Sequence, residues 1–165
     1  MKLSELLEKQ LLQTALPLSK AQAVLAIRYP SEYGLQGTSG LSSIYELNAR
    51  ILSSIDTPAL SHPLGLYLFF CTVNEALDLA LQLSSEAFCM GLSWGEGFDL
   101  EDEVWMGPAR IESDRLAFWA RPHQVLCPSK LFKEHPLPEG IGVFSGKKNL
   151  IGQIGFSFCE LLDYR

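Results

Sequence analysis

Aspartate is missing from the start of this chain: none precedes Asp56, and no acid of either kind lies between Asp56 and Glu75. Any chemistry that needs a carboxylate on the first or second strand-like segment is therefore short of ligands. Charge is also scarce, at 19% of residues against a usual value of about 25%. With a net charge of −6, the clustered Lys and Arg that track a phosphate backbone are lacking, which argues against nucleic acid as a partner. No C-x-x-C pair exists for zinc or redox work. The four cysteines, Cys71, Cys89, Cys127 and Cys159, lie far apart, and three sit in apolar runs, so buried free thiols are expected. No apolar run is long enough to span a membrane, and the acidic, broken N-terminus does not read as a signal peptide. No internal repeat or low-complexity tract is present. Cytoplasmic location, no membrane association and no bound cofactor are the expectations.

What is present is apolar: 47% of 165 residues. A domain of this length buries roughly two-thirds of its unfolded surface and needs no metal or disulfide staple. A charge-poor surface points to apolar area covered by a partner, so a homodimer or a complex with another signalling protein is expected. One domain is expected over residues 1–165, with an N-terminal amphipathic helix over 1–17 carried by Leu3, Leu6, Leu7, Leu11 and Leu12.

Along the chain, residues 21–29 read as a buried strand and 30–40 as a Gly- and Pro-rich loop. Residues 41–55 read as a helix, 57–63 as a loop, 64–70 as a strand and 72–83 as a helix. The segment 88–94 reads as a strand that turns through Gly95 and Gly97 into an acidic tip holding Asp99, Glu101, Asp102 and Glu103. Val104, Trp105 and Met106 return. Pro108 opens a helix to about Arg121, because proline suits the first helical turn. Residues 125–127 form a short strand, 129–132 a helical turn, and 141–144 with 151–162 a closing strand pair. Alternating strands and helices with a late hairpin imply an α+β sandwich.

Two stretches carry a resemblance. Gly91-Leu92-Ser93-Trp94-Gly95, then Gly107-Pro108-Ala109-Arg110-Ile111-Glu112-Ser113-Asp114-Arg115-Leu116, then Pro122-His123-Gln124-Val125-Leu126 resemble the C-terminal half of class III nucleotidyl cyclase domains. The run from Pro63 to Phe70, followed by Asn74-Glu75-Ala76-Leu77, is similar to an earlier pattern of the same family. The resemblance implies a ferredoxin-like sandwich with a mixed or antiparallel sheet and helices mainly on one face. It also implies head-to-tail pairing of two domains with active sites shared across the interface. In that family two aspartates hold two metal ions, which activate the ribose hydroxyl and clamp the phosphates. An asparagine and an arginine four apart on one helix orient the ribose and stabilise charge.

Here the match keeps the scaffold and loses most of the chemistry. The end of strand 21–29 has no aspartate, the second metal aspartate falls on Leu64, the asparagine on Ile111 and the base-reading lysine on Leu60. Only Arg115 remains. The expected function is a catalytically inactive, dimerising regulatory module, with no catalytic residue and no metal site. The alternative is a sensor that binds a nucleotide or other small ligand through Arg115. Against it, Glu112 at i−3 is a ready ion-pair partner for Arg115. Trp94, Trp105 and Trp119 are either core residues or anchors for a partner.

Other chemistries find only partial matches in the chain. Gly91-Leu92-Ser93-Trp94-Gly95 matches the G-x-S-x-G elbow of serine hydrolases, with Ser93 as nucleophile, Asp99 or Asp114, and His123 or His135 following in order. The acidic tip has no calcium-loop spacing. His123 and Cys127 lack the further ligands a zinc site needs. Phe144-Ser145-Gly146-Lys147-Lys148 lacks the first half of a phosphate loop and reads as a basic hairpin turn.

Overall fold

The computed structural model describes residues 19–30, 38–62, 65–100, 104–148 and 156–164. The N-terminal helix expected over 1–17 and most of the acidic tip lie outside them.

Strand β1, Ser19–Arg28, is buried on both faces. Ala23, Leu25 and Ile27 enter the larger of two core clusters, and Val24 and Ala26 enter the smaller one. That double burial is why its sequence reads as an apolar run instead of an alternation. Helix α1, Thr38–Ser54, follows, then β2, Ala59–His62, β3, Gly65–Phe70, and helix α2, Val73–Leu83. A reciprocal capping box between Thr72 and Glu75 starts α2 and satisfies two amides that the first turn leaves unpaired. Strand β4, Cys89–Leu100, and β5, Val104–Met106, form the hairpin. Then come helix α3, Pro108–Trp119, β6, Gln124–Pro128, the single turn α4, Leu131–Glu134, and the pair β7, Ile141–Lys148, and β8, Phe156–Asp163.

The strands make one sheet in the order β2-β3-β1-β4-β6-β8-β7, with β5 paired to β4. Among the described residues every pairing is antiparallel except β4 with β6. Helices α1 and α2 supply Ile44, Ile51, Val73, Ala76, Leu77, Ala80 and Leu81 to the larger cluster on one face. Helix α3 covers the other face, with Ala109 and Ala117 against Val24, Ala26, Tyr67, Phe69 and Trp105. It sits close because Gly91 has no side chain: a Cβ there would lie 2.1 Å from the Ser113 carbonyl oxygen. The expected α+β sandwich with a mixed, largely antiparallel sheet is the architecture found.

Four local expectations are corrected. Residues 57–63, expected as a loop, contain β2, a four-residue edge strand that pairs on one side only. Such a strand is too short to show alternation. Helix α1 starts at Thr38, inside the segment read as loop. Gly95 and Gly97 do not turn the chain; β4 runs straight through them. Gly97 instead makes room for an indole, since a Cβ there would lie 2.3 Å from the Trp105 ring. Finally, Phe144 to Lys148 is strand, paired with Phe156 to Glu160, and not a turn.

Candidate functional site

The end of β1 and the start of β3 are neighbours: Arg28 is in register with Gly65. The resemblance seats one metal aspartate at the end of β1. What stands there is a cation. The Arg28 guanidinium meets the Asp114 carboxylate of α3 through three contacts, Nε to Oδ1 at 3.1 Å and Nη2 to Oδ1 and Oδ2 at 2.9 and 3.0 Å. A two-pronged pair of this kind fixes direction as well as charge. The side chains are 20% and 31% exposed. Arg28 also lies over the Phe118 ring at 5.6 Å, and Arg110 over the Tyr67 ring at 4.9 Å. Burial first, then a hydrogen bond to Asp114 and its charge, push the Tyr67 phenol above its ordinary value.

These residues do not fit a pair of divalent ions. Among the described residues the carboxylate that meets the strand end, Asp114, is committed to the Arg28 guanidinium. Among the described residues no three His, Cys, Asp or Glu side chains gather as a metal site. Leu64 lies outside the described residues, and Leu60 is partly buried against the smaller cluster.

Arg115 projects outward from α3 and makes no hydrogen bond or ion pair among the described residues. Glu112, its expected partner, turns away. Its carboxylate accepts from the Ser93 hydroxyl and lies 3.5 Å from the Lys130 ammonium, which corrects the expected i−3 pairing. Arg115 sits between Ile111, 64% exposed, and Phe118, 69% exposed. Positions 111, 115 and 118 share one outward face of the helix, so α3 shows solvent an apolar stripe with a guanidinium in its middle.

The three tryptophans separate. Trp105 is core: it is 2% exposed, and its Nε1 donates to the Lys20 carbonyl at 3.2 Å, so it is no anchor for a partner. Trp94 is half-buried, edge-on to His135 with ring centres 4.9 Å apart, between clefts of about 190 and 310 Å³. Trp119 lines a third cleft of about 340 Å³ with Phe144 and Phe158.

The hydrolase pattern is corrected by topology. Ser93 lies mid-strand in β4 and is fully buried, so there is no strand-to-helix elbow. Asp114 is held by Arg28, and His123 Nδ1 faces the Ser84 carbonyl at 3.1 Å. His123 and Cys127 are not brought together as ligands either, since His123 is exposed and Cys127 is enclosed. Cys71 is exposed, against the expectation of buried thiols, while Cys89, Cys127 and Cys159 are buried. Sequence reasoning missed the Arg28–Asp114 and Arg110–Tyr67 contacts. The available signal was an arginine ending an otherwise apolar strand, a position that demands a partner.

No protein-family model and no curated protein sequence matches the chain. Solved structures do. The adenylyl cyclase CyaB from P. aeruginosa superposes with a TM-score of 0.69 at 13% identity, covering 90% of this chain and 96% of that one. The fold is that of a class III nucleotidyl cyclase domain. The adenylate/guanylate cyclase/hydrolase from Silicibacter pomeroyi gives 0.64 at 15% identity over 88% of this chain and 98% of that one. The catalytic core of a rhodopsin-guanylyl cyclase, solved with ATPalphaS, gives 0.68 at 8% identity over 90% and 98%. At these identities the likeness to cyclase domains is one of fold.

Proposed function

We propose that this chain is a catalytically silent cyclase-fold module that works by pairing, with a second copy or with another signalling protein, through the outward face of α3. The observation that carries the pairing is the stripe of Ile111 and Phe118 flanking Arg115 on an otherwise well-packed helix. Apolar side chains in such a row cost hydration when left bare and gain when covered. The catalytic silence is supported by the sequence, which has no aspartate before Asp56, and by the Arg28–Asp114 pair at the strand end. Without metal ligands an attacking hydroxyl keeps its ordinary acidity and the phosphate charge has no counter-ion.

Two measurements test the halves separately. Light scattering after size exclusion is expected to show a dimer for the wild-type chain, or a monomer that captures a partner, and loss of that association in Ile111→Glu/Phe118→Glu. A wild-type monomer that binds nothing sinks the pairing. Incubation with ATP or GTP and Mn²⁺ is expected to yield no cyclic nucleotide; appreciable product overturns the silence.

A second reading rests on Arg115 itself, a planar donor without a carboxylate partner among the described residues and suited to an anionic phosphate. In that reading the chain senses a nucleotide or another small ligand. Calorimetry with a nucleotide panel, repeated on Arg115→Ala, separates it: heat lost in the variant supports sensing, and no heat with any ligand removes it.

A further inference from the structure

Cys127 in β6 and Cys159 in β8 stand opposite one another in the antiparallel register, although 31 residues separate them in sequence. Both are enclosed, at 0% and 2% exposure. Two residues along each strand, the Ser129 amide donates to the Ser157 carbonyl at 3.2 Å. Antiparallel pairs alternate between hydrogen-bonded and non-hydrogen-bonded types, so the two cysteines occupy another hydrogen-bonded position, where Cα atoms stand about 5.5 Å apart. That spacing lies inside the span of a disulfide. The side chains of such a pair are set wider than those of a non-hydrogen-bonded pair, so a bridge closes under strain and is readily reduced. The neighbouring Cys127 holds the Cys159 thiol below its ordinary value, while burial pushes Cys127 up. No third metal-binding side chain joins them among the described residues.

We propose that Cys127 and Cys159 form a reversible cross-strand disulfide, closed by a hydroperoxide such as hydrogen peroxide. The Cys159 thiolate attacks one peroxide oxygen. An S–O bond forms, the O–O bond breaks, and the departing hydroxide leaves as water with the proton Cys159 gave up. The Cys127 sulfur then attacks the sulfenic sulfur. The S–S bond forms, the S–O bond breaks, and the second hydroxide leaves as water with the Cys127 proton. Each sulfur loses one electron, and the peroxide takes both. Hydrogen peroxide is little larger than water, so brief local opening of the strand pair gives it access. The oxidised chain has β8 fastened to β6 at the point where the sheet turns from its central strands to its last two.

The test uses the whole chain carrying Cys71→Ser, which removes the exposed thiol that would otherwise consume oxidant or link molecules. The folded protein is exposed to hydrogen peroxide, quenched with catalase and unfolded in alkylating agent. Peptides are then mapped by mass spectrometry without reduction. The expected main oxidised product is a single linked pair joining Cys127 to Cys159, two hydrogens lighter, with Cys89 alkylated. Millimolar glutathione is expected to return both as free thiols. Recovery of both cysteines alkylated after peroxide overturns the proposal, as does sulfinic acid at either one or a bridge to Cys89. A link that glutathione leaves closed overturns its reversibility.

Discussion

Arg28 ends a strand in which Ala23 to Ile27 are all essentially without exposed surface, and its guanidinium meets Asp114 across the sheet face. Removing one member of a part-buried pair leaves the other charged and poorly solvated. Asp114→Asn is expected to lower stability by about 2 kcal/mol in urea unfolding. Arg28→Met in the same background is expected to recover part of that loss, and a double-mutant cycle measures the coupling. One residue along, burial pushes the Tyr29 phenol up to about 12, and its hydroxyl donates to the Asn48 side chain. Below pH 10 this phenol is protonated in both folded and unfolded chains, so its contribution is complete. Between pH 10 and about 12 the unfolded chain ionises while the folded one resists, so stability falls as pH rises. Thermal melts across that window are expected to drop, and Tyr29→Phe is expected to flatten the drop. Neither contact was written in the sequence as a pair. Arg28 and Asp114 lie 86 residues apart, and only the packing of α3 on β1 joins them.

At the scale of elements, close approach decides more than propensity. Gly91→Ala places a methyl 2.1 Å from the Ser113 carbonyl oxygen. Helix α3 must then lift from β4, at an expected cost of about 3 kcal/mol in denaturant unfolding. Thr72→Ala breaks the capping box of α2 at about 1 kcal/mol and is expected to leave the rest of the fold intact by circular dichroism. The strands and helices with a long apolar period were legible: β1, β3, α2 and α3 fall within a few residues of where the pattern puts them. Gly95 and Gly97 were misread because glycine signals both a turn and a tight contact. Only the position of the Trp105 ring distinguishes the two. Strand β2 escaped because four residues on an edge carry no periodicity to detect.

Across the whole molecule, the scaffold was legible through glycines, a proline and small helical residues, which are what close helix-to-sheet packing requires. For the chemistry the sequence offered only a subtraction, no aspartate before Asp56. The positive features of the site, a guanidinium at a strand end and an apolar stripe on α3, depend on which faces meet and needed coordinates. The sheet also has a narrow junction. Among the described residues its one parallel pairing joins β4 to β6 through Cys89, Met90 and Gly91 against Gln124, Val125 and Leu126, while β1 and β4 run side by side from Ser19 to Arg28. The plate is therefore weakest along β6, which only three residue pairs join to β4 and three to β8. Warmed toward melting, it is expected to part along that line first, with amides of Val125 and Leu126 trading deuterium ahead of those of Val24 to Ile27.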